Sequence, residues 1–340
     1  MTDQQTETRK ALWIVLGVVG LCVLAALLLA VAGAVVYFML AAKVADDKPS
    51  GLSPEFDYAV EALQPVDPEL IGYLETGSIA VSLREPRGIA IGPGDSLYVA
   101  GDETILVRGS KAQEIKLAAP PRAIAVDADG TIYVAMKDHV EVYSPAGEKR
   151  AAWQRLAGKA LLTSIAVGEP GVFVADAGNR EVVQYDRAGE ALRRFARKDP
   201  ERGIPGLIVP SPYLDVAIGR DGLLRVANPG RRRVETYTMD GSLELSWGRA
   251  GVAIDAFGGC CNPSHLAVFP DGRVVTSEKG TVRVKVYDAQ GVLLTVVAAA
   301  PESFDQDAVG LDLAVDSRGR VFVLDPGRKV VRIFSRKEAQ

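Results

Sequence analysis

Two of the three cysteines and one of the two histidines fall within six residues, in the stretch Phe257-Gly258-Gly259-Cys260-Cys261-Asn262-Pro263-Ser264-His265. Three chemistries are open to such a stretch. Cys260 and Cys261 can close a vicinal disulfide, which strains the backbone because adjacent cysteines fall outside ordinary disulfide geometry. They can stay reduced and fill space as small apolar residues. Two thiolates and His265 can also hold a soft metal such as copper or zinc. The disulfide, or a redox pair built on it, is the first expectation.

A second set of chemical groups is scattered along the chain. Asp215, His265 and Asp312 combine two carboxylates with one imidazole, and Glu278, Asn228 and Asp325 add further polar groups. If brought together, the first three could bind a divalent cation or work as an acid–base set. With only His139 and His265 available, mechanisms needing several histidines are excluded. Whether these residues meet depends on the elements that carry them.

Those elements repeat. "RGIAIGPGDSLYVAG" from Arg87, "RAIAVDADGTIYVAM" from Arg122, "TSIAVGEPGVFVAD" from Thr163, "LDVAIGRDGLLRVAN" from Leu214, "SHLAVFPDGRVVTSE" from Ser264 and "LDLAVDSRGRVFVLD" from Leu311 share one pattern. A short apolar strand centred on alanine leads through a glycine-bearing turn into a second β-rich strand. A third strand follows, as in "EVVQYDRAGE" and "TVRVKVYDAQG", and a fourth, as in "SLELSWG". The position two residues before the alanine runs Gly88, Ala123, Ser164, Asp215, His265, Asp312. Four short strands recurring at this interval are the signature of a propeller blade. The expected fold is all-β, a six-bladed β-propeller over 68–340. The last repeat has only three strands. "GSIAVSL", Gly77 to Leu83, precedes the first repeat and can supply the fourth, which removes two exposed edges.

"PRAIAVDADGTIYVAM" and "SIAVGEPGVFVADAGNREVVQYD" resemble the NHL-repeat family of β-propellers, and the resemblance covers essentially all of the chain after residue 67. It implies the fold. It implies little about function, since that family includes ligand-binding, protein-binding, RNA-binding and a few lyase or hydrolase members.

In such a ring the inner strands start at the upper face, where the blade-to-blade loops also lie. The family usually has glycine at the position two before the alanine. Blades 4 to 6 carry Asp215, His265 and Asp312 there instead, so one side of the opening is expected to be polar. The position after the second strand runs Gly101, Met136, Asp176, Asn228, Glu278, Asp325. Its acids and amides either extend that site or cap turns. The cysteine pair falls in the connection between blades 4 and 5, on the same face. Lys279 reads as a solvated turn residue, and Arg231-Arg232-Arg233 as a solvated face.

Ahead of the repeats, residues 11–42 contain no charge, which is enough for one membrane-spanning helix. A signal sequence has a shorter apolar region, so an uncleaved anchor is expected. Residues 1–10 are then a short cytoplasmic tail, 43–67 a proline-bearing linker, and the propeller lies outside the cytoplasm. Cys22, within the span, reads as an apolar filler. The formal charge of −4 provides no basic field for nucleic acid. The sequence has no G-x-S-x-G, H-E-x-x-H or phosphate-binding loop. The expected role is a binding, scaffold or sensor module with a protein or cell-envelope ligand. The alternatives are a metal-dependent lyase or hydrolase, with one divalent ion, and a redox sensor.

Overall fold

Each repeat folds into four antiparallel strands, and the six sheets so formed are the blades of a ring in a computed structural model that describes residues 65–338. Blade 1 holds β2 (Pro86–Gly92), β3 (Ser96–Gly101), β4 (Thr104–Arg108) and β5 (Gln113–Lys116). Blade 2 holds β6 (Ala123–Val126), β7 (Ile132–Ala135), β8 (Val140–Tyr143) and β9 (Lys149–Ala152). Blade 3 holds β10 (Leu162–Gly168), β11 (Gly171–Asp176), β12 (Glu181–Tyr185) and β13 (Ala191–Phe195). Blade 4 holds β14 (Asp215–Ile218), β15 (Leu224–Asn228), β16 (Arg233–Tyr237) and β17 (Leu243–Trp247). Blade 5 holds β18 (His265–Val268), β19 (Val274–Ser277), β20 (Arg283–Tyr287) and β21 (Leu293–Ala299). Blade 6 holds β22 (Leu313–Val315), β23 (Val321–Asp325), β24 (Val330–Arg336) and, from the front of the chain, β1 (Tyr73–Ala80). The apolar run at 11–42 and nearly all of the expected linker lie outside the described residues. Among the described residues no helix is long and apolar enough to cross a membrane.

The inner strands β2, β6, β10, β14, β18 and β22 contact one another in that order, and β22 returns to β2. Ring closure works as the sequence suggests. β1 pairs antiparallel with β24, from Tyr73 opposite Arg336 to Ala80 opposite Val330. The strand starts four residues before the expected Gly77, and an irregularity between Glu75 and Gly77 restores its register. The guanidinium of Arg332 on β24 clasps the Glu75 carboxylate across this seam.

The core lies between blades. Second and third strands are buried on both faces, as in β11 and β12, whereas the outer β13 is exposed along most of its length. One apolar cluster joins Phe173, Val182 and Phe195 of blade 3 to Leu224, Val226 and Tyr237 of blade 4. The tyrosine that ends the third strand of blades 3 and 5 has a structural reason. Tyr185 meets Trp153 of the preceding blade with ring centroids 4.9 Å apart. Tyr287 meets Trp247 in the same way at 4.7 Å. Beneath each tryptophan lies a turn glycine. Gly189 and Gly291 have φ of +92° and +88°, and a Cβ on either would come within 2.3 Å of the indole. Glycine is therefore needed there for both its backbone and its lack of bulk.

Trp247 is 6% exposed and packs on Phe257, Tyr287 and Gly291. Trp247→Ala is expected to destabilise the propeller by about 3–5 kcal/mol, read as a lowered midpoint in urea unfolding followed by far-UV circular dichroism.

Candidate binding site on the upper face

Each inner strand leaves one edge open to the central channel, where backbone N–H groups lack a strand partner and need another acceptor. In three of the six blades the residue two before the repeat alanine supplies it. Ser164 Oγ of blade 3 accepts from Val216 N of blade 4 at 3.3 Å. Asp215 Oδ2 of blade 4 accepts from Leu266 N of blade 5 at 2.6 Å. Asp312 Oδ2 of blade 6 accepts from Ile89 N of blade 1 at 2.7 Å. The other oxygen of each aspartate accepts from its own following N–H, Val216 or Leu313, at 2.9 Å. These side chains are staples between successive blades.

Asp215, His265 and Asp312 do meet, as expected, in one cavity of about 60 Å³ that Arg87, Arg122 and Ser164 also line. They do not form the expected metal set. Among the described residues no three His, Cys, Asp or Glu side chains converge to hold a metal ion. The physical reason at this cavity is that the carboxylate oxygens are already taken by backbone donors. Burial pushes Asp312 up to about 8, and the charge of Asp215 adds to the effect. Burial also raises Asp215, to about 6, against the opposing hydrogen bonds from Ser164, Leu266 N and Val216 N. Burial lowers His265 to about 4, so its imidazole is neutral at pH 7. His265 Nδ1 is buried without a partner. Its ring stands edge-on to Tyr213, with centroids 5.6 Å apart.

Glu278, Asn228 and Asp325 do not join this group. All three are buried and act inside the walls. Glu278 accepts from Gly258 N at 3.0 Å and pairs with Arg283 at 2.9 Å and Lys285 at 2.7 Å. Arg283 and Lys285 in turn donate to the carbonyls of Val252, Ala253, Ile254 and Ala256. Burial opposes the charge on Glu278, but Lys285 and Arg283 outweigh it and hold the carboxyl below its usual range. Burial lowers Lys285 to about 8 against the pull of Glu278. This cluster fastens the long connection 248–264. Asn228 does the same for the connection 196–214, accepting from Ile208 N and donating to Gly206 O and to Glu235. Asp325 caps its own turn by accepting from Arg328 N.

The connection 248–264 carries the cysteine pair. Cys260 is half-buried, Cys261 is buried, and both are free thiols with Sγ atoms 3.1 Å apart. The expected vicinal disulfide is thus not formed in this structure. It is not needed for rigidity either, because Asn262 locks the loop through Gly258 O, Lys279 O and Lys279 N. Burial raises the Cys261 thiol, while Ser211 and the charge of Lys279 work against that rise. Lys279 Nζ lies over the Tyr213 ring at 4.7 Å. Lys279 is therefore part of a built surface rather than a free turn residue. Tyr213 and Ser211 were invisible to repeat analysis because they lie in the irregular connection 196–214, which has no counterpart column. The extra length of that connection was the available signal.

No family model matches the sequence, and no curated protein matches it. Solved structures do match in shape. A streptogramin B lyase aligns at TM-score 0.55 and 9% identity over 78% of this chain and 98% of its own. A protein of unknown function from Bacteroides thetaiotaomicron aligns at TM-score 0.57 and 15% identity, covering 78% and 72%. The WD40 β-propeller domain of Doa1 aligns at TM-score 0.54 and 13% identity, covering 78% and 98%. At these identities the likeness shows the propeller fold and nothing finer.

Two outcomes follow from this geometry. Glu278→Ala leaves Lys285 and Arg283 buried without their counter-charge and is expected to cost about 3–5 kcal/mol, measured by urea unfolding. The second concerns pH. Folded Asp312 keeps its proton up to about 8, whereas an unfolded aspartate loses it near 3.8. The folded state therefore binds more protons in that interval, and stability falls as pH rises through it. His265 has the opposite slope, but only between about 4 and 6.5. From pH 6.5 to 8 the Asp312 slope stands apart, and Asp312→Asn is expected to flatten it in a series of thermal melts.

Proposed function

We propose that this chain is an NHL-type propeller, held to a membrane by residues 11–42 with the ring outside the cytoplasm. In this reading it is a binding or sensor module that works through its upper face at blades 4 and 5. One observation carries the proposal. The connections 196–214 and 248–264 are each fastened from below by a buried polar network and meet where Cys261 lies beside Ser211 and Tyr213, with Lys279 of the β19–β20 turn over the Tyr213 ring. A rigid scaffold holding irregular loops at one focus is the usual basis of recognition by such folds. An aromatic ring with a cation above it suits a partner that offers both apolar and acidic groups, which agrees with a protein or cell-envelope ligand.

A second reading as a lyase rests on His265, which lines the channel cavity and whose Nδ1 is buried without a hydrogen-bond partner. One solved structure of similar shape is a catalytically inactive histidine-to-alanine variant of virginiamycin B lyase from Staphylococcus aureus, with quinupristin. The binding reading fits better. The channel cavity of about 60 Å³ is far below the roughly 300 Å³ where small-ligand pockets begin.

A photoreactive phenylalanine analogue placed at Tyr213 in intact membranes is expected to give a discrete adduct that Lys279→Ala weakens. The same probe at Asp240, in the turn between β16 and β17 on the opposite face, is expected to give none. Equal labelling from both positions, or none from Tyr213, would remove the upper face as the binding surface.

A further inference from the structure

The vicinal thiols have a built asymmetry that the binding role does not use. Cys260 is open to solvent on one side, whereas Cys261 is 3% exposed. The buried Ser211 hydroxyl, which has no other partner, lies beside the Cys261 sulfur, and Lys279 brings a positive charge to it. A ligand larger than water therefore reaches one sulfur and not the other. The second sulfur waits 3.1 Å behind the first.

We propose that Cys260 and Cys261 form a thiol–disulfide exchange site in which exposed Cys260 attacks, buried Cys261 resolves, and the co-reactant is a small disulfide of the glutathione class. In the first step the Cys260 thiolate attacks one sulfur of the small disulfide, RSSR. The S–S bond breaks, one RS⁻ leaves and takes up a proton, and Cys260 is left as a mixed disulfide. In the second step Cys261 loses its proton and attacks Cys260 Sγ, expelling the second RS⁻. Two protein thiols are oxidised to one disulfide, and one RSSR is reduced to two RSH, which carry the two protons. Lys279 is a positioning residue that favours the Cys261 thiolate.

Adjacency makes the product reversible. Consecutive Cα atoms are about 3.8 Å apart, below the roughly 4.4–6.8 Å of ordinary disulfides. Strained disulfides are the more readily reduced ones. The loop is already held by Glu278, Asn262, Arg283 and Lys285. A bond between the cysteines therefore adds no fastening that the loop lacks. Its effect is to replace two thiols by a compact apolar ring at the surface that Tyr213 and Lys279 share.

The test uses the full chain in detergent with Cys22→Ser, so that only the pair reports. Oxidised glutathione is added, aliquots are quenched with iodoacetamide in denaturing urea so that the shielded Cys261 is alkylated as well, and intact mass is read over time. The parent is expected to lose both alkylatable thiols, end two protons lighter, retain no glutathione, and recover both thiols with dithiothreitol. Cys261→Ser is expected to trap one glutathione on Cys260. Cys260→Ser is expected to react at least about tenfold more slowly, since Cys261 is shielded. Lys279→Gln is expected to let the mixed disulfide accumulate in an otherwise intact pair. The proposal is overturned if the parent keeps a stable glutathione adduct or two unreactive thiols. It is equally overturned if Cys260→Ser reacts as fast as Cys261→Ser. The parent time course needs no substitution in the pair, so misfolding of a variant cannot mask the result.

Discussion

The structure depends on an unpaired edge being given a partner, twice over. At the rim, blade 6 lacks a fourth strand until β1 pairs with β24. Along the channel, inner strands expose N–H groups that no strand can reach, and Ser164, Asp215 and Asp312 reach across from the preceding blade. These hydrogen bonds tie three of the six blade junctions, and apolar clusters join every neighbouring pair of sheets into the ring. Apolar packing between blades then sets its thickness, with Trp153 and Trp247 seated on turn glycines that tolerate no side chain.

The same logic governs the upper face. Two connections are long because blades 3, 4 and 5 are spaced widely in sequence, and a long loop is well ordered only if its backbone groups find partners. Asn228 with Glu235, and Glu278 with Arg283 and Lys285, provide them from beneath. Charges that might be taken for chemistry are spent on architecture. What remains available to a partner is the outer side of those loops, with Tyr213, Lys279 and Cys260.

Much of the fold was legible. The glycine turns and the alanine-centred strands marked six blades, and the missing last strand pointed to its replacement near Gly77. The inner column was also legible as a set: Asp215, His265 and Asp312 do share a cavity. Their role was not. A carboxylate that binds a cation and one that caps a neighbouring strand have the same sequence signature, and only the position of Leu266 N and Ile89 N decides between them. Glu278 shows a related limit. Its partners lie a few residues on, at Arg283 and Lys285, alternating along one strand face, and this was a readable sign of a buried ion cluster. Tyr213 had no such sign, because an irregular loop has no period.

The strand that closes the ring, β1, is also the first strand among the described residues. β1 begins at Tyr73, and immediately before it Leu70, Ile71 and Gly72 are bonded to Thr295 and Val296 of β21 in blade 5. A pull entering at Pro68 therefore loads these contacts with β21 first and the β1–β24 seam directly behind them. The Arg332–Glu75 pair sits near the loaded end of that seam, beside Tyr73 and Leu74. In mechanical terms a load entering at Pro68 acts close to the ring's own latch. Its resistance to force from that end is set by one antiparallel pair of strands and the adjoining contacts with β21 rather than by the stability of the whole.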